Sequence, residues 1–241
     1  MILEGDVSVK AALLGGKRTV QKVMLDEKRR DRNAAFILRV CEQNGIDVVR
    51  CSRSDVDAAA SGRTHGGMIA EVCARNYDRT EDCLSPDVPF VVLLEGVEDP
   101  YNLGYVMRTL YSAGCTGLVL KQRTWEHAEP VIVKSSAGAS EYLTTVLSED
   151  PVKDIRWLKE QGLFCYAAMR KDASVYYDGD YRIPMILMIG GEMRGLSSAV
   201  LELSDRNVYI PYMNDFRNAL NAASACSALA FEVVRQRLYP R

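Results

Sequence analysis

Two periods of apolar and polar positions take turns along this chain. Val20 to Leu25, Ile46 to Arg50 and Met68 to Val72 are apolar runs of strand length. Asn33 to Asn44 has the spacing of an amphipathic helix stopped by Gly45, and Asp55 to Ala60 reads as a short helix. Further on, Phe90 to Leu94 and Met185 to Ile189 are unbroken apolar runs, the form taken by strands buried on both faces of a parallel sheet. After the Asp99-Pro100 turn, Leu103, Val106, Met107, Leu110 and Tyr111 recur at helical spacing, and Gly114 is placed to end that helix. Between Ala219 and Val234 only Asn221, Ser224, Ser227 and Glu232 are not apolar, so the pattern predicts a helix buried nearly all round.

Strands alternating with helices predict an α/β fold. The polar stretch from Asn76 to Pro89 follows neither period and marks a boundary, giving a domain over residues 1–79, a linker over 80–87 and a second domain over 88–241. By the general rules of chain connection the second domain would be an ordinary doubly wound sheet.

Composition narrows the class. The 241 residues suffice for one large or two small cores. Seven Cys without a C-x-x-C pair, and two His (His65 and His127) without metal spacing, suggest neither a disulfide framework nor a metal site. No apolar run approaches the length of a membrane span and the first residues lack the pattern of a signal peptide, so a cytoplasmic protein is expected. The net charge of −2 is uneven: residues 1–79 hold 14 Lys/Arg against 11 Asp/Glu, leaving 16 against 21 for the remainder. The run Lys28-Arg29-Arg30-Asp31-Arg32, with Lys17, Arg18 and Lys22 nearby, is a candidate to track a phosphate backbone, or else a solvated helix start.

Three loops carry candidate chemistry. Asn102, Gly104 and Arg108 lie on one helix near its N-terminus, where free amides and a guanidinium suit an anion; the alternative is an Asn102 that only caps the helix and an Arg108 that is only solvated. The pair Gly190-Gly191 ends an apolar strand and lets a ligand approach the backbone closely, Glu192 follows, and Ser197 or Ser198 is placed to cap the next helix. Asn221 and Ser224 form a polar stripe at the start of the last helix. Neither the dinucleotide G-x-G-x-x-G at a strand-to-helix turn nor a Walker loop occurs, which disfavours a nucleotide-dependent oxidoreductase.

Taken in order, Leu94 to Thr109 with its Asn102-x-Gly104-x-x-x-Arg108, Ile189-Gly190-Gly191-Glu192-Met193-Arg194-Gly195-Leu196, and Ile210-Pro211 through Asn218-Ala219-Leu220-Asn221 resemble the three signatures of the TrmH/SpoU family of RNA ribose methyltransferases, in the SPOUT superfamily. Glu4-Gly5 and Thr64-His65-Gly66-Gly67-Met68-Ile69-Ala70 resemble the two ends of the small ribosomal-protein-like α/β domain that presents RNA in that family. The resemblance implies a trefoil-knotted methyltransferase domain, S-adenosylmethionine as donor, ribosomal or transfer RNA as substrate, no metal, and a homodimer paired across the knot and the last helix. It assigns catalysis to Asn102, Arg108, Glu192 and Asn221 and donor binding, mainly through main-chain groups, to Gly190, Gly191, Ile210 and Leu220. His65 joins Lys28, Arg29 and Arg30 as a candidate RNA contact, or packs its own loop. Because Arg is never neutral in proteins, Arg108 is read as an electrostatic stabiliser of the ribose oxygen or a phosphate.

The chain departs from the family pattern in four places: Ala219 stands where a serine is usual, Met193 where a glycine is common, Gly66 where a glutamine is common, and the loop from Ile210 to Leu220 is one residue longer than in many members. The missing serine keeps open an RNA- or ribosome-binding protein of the same fold without transfer activity. Asn218 is the neighbour placed to replace the hydroxyl.

Overall fold

Strand β1 (Ile2–Glu4) leads into α1 (Asp6–Gly15), β2 (Val20–Asp26), α2 (Arg32–Gln43), β3 (Asp47–Cys51), α3 (Arg53–Ala59) and β4 (Met68–Val72). The structure, a computed structural model, describes residues 1–84, 88–191 and 194–239. Its contacts divide the chain into Met1–Asn76 with Trp125–Tyr142, and Tyr77–Thr124 with Leu143–Arg241.

The first unit is built on a sheet of order β1-β4-β2-β3, antiparallel except for the β2–β3 pair. Val23, Leu25, Met68 and Ala70 from its strands and Ile37 and Cys41 from α2 form the core, the outcome that their period-2 and helical spacings call for. Helix α2 starts where Asp31 accepts from the Asn33 and Ala34 amides, a cap that contributes about 1 kcal/mol. The capping box Ser52–Asp55 starts α3 in the same way. Residues 125–142 belong to this unit by their contacts, and Val133 enters its core.

The second unit contains β5 (Phe90–Glu95), α4 (Pro100–Ser112) and β6 (Gly117–Lys121); α5 (Glu129–Ser135) follows within the first unit. Then come β7 (Thr145–Ser148), α6 (Pro151–Glu160), β8 (Phe164–Ala168), β9 (Ala173–Val175), β10 (Met185–Gly190), α7 (Ser198–Leu201), β11 (Arg206–Tyr209) and α8 (Ala222–Leu238). All seven strands run parallel in the order β7-β6-β5-β10-β8-β11-β9. Phe90 to Leu94 and Met185 to Ile189, neighbours at the centre, are buried throughout, as unbroken apolar runs require. From β5 the chain builds outward through β6 to β7, then returns on the other side, so β5 and β10 flank a point where the winding direction changes. Ligands of open α/β sheets bind outside the carboxyl ends of such strands. The polar stretch after Asn76 is not featureless, since Thr80–Cys83 make a 3-10 turn.

Helix α8 begins three residues later than its apolar run, because Asn221 caps it by accepting from the Ser224 amide at 2.8 Å. Ala222, Cys226, Leu229, Ala230 and Val233 are buried, but Phe231 and Leu238 are 50% and 66% exposed. Burial all round, expected from composition, is therefore not met within one chain: α4 and the sheet cover one side, and the other stays open. Thr109 and Ser227 hydroxyls, 3.3 Å apart, join α4 to α8 on the covered side.

Candidate active site

Three loops at the carboxyl ends of β5, β10 and β11 build the site, and short backbone approaches between the first two decide its shape. A Cβ on Gly191 would stand 2.1 Å from the Gly96 carbonyl oxygen, and one on Gly190 would stand 2.3 Å from the Gly195 carbonyl carbon. Gly191 thus lets the two loops pack backbone to backbone, and Gly190 lets the second loop fold back on itself. The Gly191 amide donates to the Glu95 carbonyl at 2.6 Å, and the Glu95 carboxylate accepts from the Ser197 amide at 2.8 Å. Ser197 occupies the cap position of α7 without a capping side-chain bond.

Helix α4 starts at Pro100, and its cap is Asp99, whose carboxylate accepts from the Asn102 amide at 2.7 Å. Asn102 therefore sits inside the first turn and is not itself the cap. It lines an open cleft of about 670 Å³ together with Glu98, Lys121 and Arg194. Arg108 lies two turns along α4, exposed, and among the described residues its guanidinium has no hydrogen bond or ion pair. It does not line the cleft that holds Asn102. Glu192 and Met193 lie outside the described residues.

Gly190, Gly191, Ile210 and Leu220 meet in a second cavity of about 220 Å³, whose other walls include the small side chains Ala168, Ala219, Ala222 and Ala225. Gly195 borders both cavities, so the two adjoin. Asn221, next to Leu220, holds the start of α8 under this cavity through its cap bond. Main-chain groups, small alanines and a few large side chains thus share the walls of this half-open cavity. Two lining residues, Arg170 and Tyr212, were not apparent in the sequence. Their only signal was an aromatic residue two positions after Ile210, and the arginine comes from a separate strand end.

In the first unit the basic run is divided. Arg29 makes paired bonds to Asp6 (2.5 and 2.9 Å) and to Asp31 (2.7 and 2.8 Å). Those carboxylates raise its pKa, while their own are held below the usual range chiefly by the Arg29 hydrogen bonds. Lys28, Arg30 and Arg32 remain exposed. Arg30 turns its guanidinium to the carbonyls of Glu27 and Arg29. Arg18, grouped with the basic run by charge alone, is instead buried against Glu129 and Glu141. His65 is 2% exposed; its Nδ1 accepts from the Gly67 amide at 3.2 Å, which leaves Nε2, 3.1 Å from Asp57, to carry the proton. It packs its loop and does not face outward.

Among the described residues no cluster of His, Cys, Asp or Glu is arranged to hold a metal, and no helix is long and apolar enough to cross a membrane. All seven cysteines are free.

Comparison with known proteins reaches both units. The SpoU rRNA Methylase family matches residues 89–231, and a family described as RNA 2′-O ribose methyltransferase substrate binding matches residues 2–78. The chain is 28% identical over 240 residues to the 23S rRNA (guanosine-2′-O-)-methyltransferase RlmB of Shewanella oneidensis, covering 98% of this chain and 97% of that one. RlmB of Pseudomonas putida is 28% identical over 244 residues, with 97% and 96% covered. Among solved structures, the SpoU methyltransferase AviRb from Streptomyces viridochromogenes in complex with AdoMet superposes with a TM-score of 0.83 at 23% identity, covering 100% of this chain and 91% of that one.

Proposed function

The chain belongs to the SpoU rRNA methylase family and is an S-adenosylmethionine-dependent RNA 2′-O-methyltransferase; we propose that its donor lies in the cavity of Gly190, Gly191, Ile210 and Leu220 and its RNA ribose in the adjoining cleft of Asn102. The observation that carries this reading is the convergence of residues from three separate sequence signatures on two adjoining cavities at the change of winding. When bound, the donor supplies an electrophilic methyl group on a sulfonium. The backbone loops hold it, and the alanine-rich walls exclude water. Asn102 orients the ribose or its phosphate, and Asn221 keeps the start of α8 in place. Arg108, whose exposed guanidinium has no partner among the described residues, holds a phosphate or the developing alkoxide once RNA is seated, which lowers the pKa of the hydroxyl without itself taking the proton. Glu192 is proposed as the fourth member of this set from its signature alone.

The RNA is ribosomal or transfer RNA, a reading supported by the relatives' substrates and by the match of residues 2–78. Lys28 and Arg30 supply phosphate contacts from the first unit, Arg29 shapes that loop, and His65 acts through loop packing. Phe231 and Leu238, left open on α8, support a homodimer that pairs across this helix. A trefoil knot in the second unit is supported by the position of β10, a late strand seated between β5 and β8. The free cysteines agree with work in the cytoplasm.

The test is transfer of labelled methyl groups to ribosomal and transfer RNA from cells lacking this protein, with 2′-O-methyl mapping of the product. One nucleotide restored by the wild-type protein is expected. Binding of RNA with no methyl transferred to either pool would favour the transfer-inactive reading.

A further inference from the structure

The cavity assigned to the donor, about 220 Å³, is smaller than the roughly 300–1,000 Å³ of sites that enclose an organic ligand. Its open side therefore bears on what it can admit. Ile189 on central β10 and Ala222 and Leu229 on α8 are buried. The segment 211–220 is irregular and almost wholly exposed, and it closes the remaining side.

What holds that segment shut is specific. Tyr212 Oη accepts from the Leu220 amide at 2.9 Å, closing the loop on itself. The Arg170 guanidinium lies 4.6 Å from the centre of the Tyr212 ring and donates to the carbonyls of Arg217 at 3.2 Å and Asn218 at 3.4 Å. All three residues of the clasp, Tyr212, Leu220 and Arg170, also line the cavity. The one main-chain donor of Leu220 is thus committed to a side-chain oxygen that faces the space a ligand would fill.

We propose that Tyr212 is a resident competitor for the donor: its phenol oxygen accepts from the Leu220 amide, and a ring nitrogen or ribose oxygen of S-adenosylmethionine replaces it there on binding. This rests on the assignment of the donor to this cavity. Tyr212 is a positioning residue, and Arg170 holds its ring in the closed place. The apparent donor affinity is then the intrinsic affinity reduced by the fraction of molecules that are open. Tyr212→Phe keeps the ring and its stack on Arg170 but removes the competing oxygen.

The experiment combines calorimetry of S-adenosylmethionine binding with amide NMR of Leu220, in the wild-type protein and in Tyr212→Phe. The donor is expected to move the Leu220 signal in the wild type, and the variant is expected to bind about three- to tenfold more tightly. Residues that merely stiffen the loop predict the opposite sign, weaker binding on loss of the hydroxyl. Donor binding that leaves Leu220 unmoved overturns both the cavity assignment and the competitor. A moved Leu220 with equal or weaker binding by Tyr212→Phe overturns the competitor alone. Arg170→Met, which frees the ring and keeps the hydroxyl, should raise the donor association rate in stopped flow; an unchanged rate also overturns the proposal.

Discussion

Arg18 and Glu141, separated by 123 positions in the chain, meet at 2.6 Å with side chains 1% and 0% exposed. Glu129 joins them at 2.8 Å, and the Arg75 amide donates to the same Glu129 carboxylate at 3.3 Å. Burial alone would lower the Arg18 pKa, but the hydrogen bonds and charges of Glu141 and Glu129 outweigh it and leave it raised. The cluster ties residues 125–142 into the first unit. Breaking a buried pair leaves an uncompensated charge, so Arg18→Met should cost about 3–5 kcal/mol in urea unfolding, whereas a double variant with Glu141→Gln should recover part of that loss. A cost below about 1 kcal/mol would show that the carboxylates are solvated on unlocking.

If Arg108 serves the RNA side of the site, as proposed, Arg108→Ala should lower methyl transfer by about 100-fold or more and leave donor affinity nearly unchanged. Single-turnover assays beside calorimetry separate the two quantities. Strong residual turnover would remove Arg108 from the catalytic set.

Splitting the basic run yields two different phenotypes. Lys28→Ala with Arg30→Ala should weaken RNA binding and flatten its salt slope by roughly two if each contacts one phosphate. Arg29→Ala should instead lower thermal stability, because Asp6 and Asp31 both lose their partner. Equal salt slopes for the wild type and the Lys28/Arg30 variant would take that pair out of the RNA footprint.

The Asp6–Arg29 pair sets an acid limit. The Arg29 hydrogen bond lowers the Asp6 pKa against the opposing pull of burial, so its folded value lies below the unfolded value of about 3.9. Its contribution is thus present above that unfolded value and is lost as pH falls through the folded one. Comparison of urea midpoints at pH 7 and pH 3 should show a smaller acid loss in Asp6→Asn than in the wild type. Parallel curves would assign acid sensitivity to other carboxylates.

Thiol labelling at pH 8 should reach Cys73, which is exposed, before any other cysteine. Burial pushes Cys83, Cys115, Cys165 and Cys226 up to about 12, so they should react only on unfolding. Labelling of these four in the native protein on the same timescale would reveal opening of the second unit's core.

What could be read from the sequence is what short stretches of chain decide for themselves. The apolar runs of β5 and β10, the helical spacing of α2 and α4 and the ordered signatures around Asn102, Gly190 and Asn221 depend on neighbours a few residues away, and the structure places those elements as their periods require. What tertiary structure alone decided are pairings across long separations. Charge could not tell buried Arg18 from exposed Lys28, because the difference is two glutamates more than a hundred positions later. Composition could not show that α8 keeps an open face, since its coverage depends on where α4 and the sheet end. Nor could the glycine pair or Tyr212 be read in full: Gly191 answers to the Gly96 backbone, and Tyr212 acts through a loop closure that exists only when Leu220 is folded back upon it. Local sequence sets which backbone conformations are cheap, and the contacts that give a side chain its task are made only when the whole chain has packed.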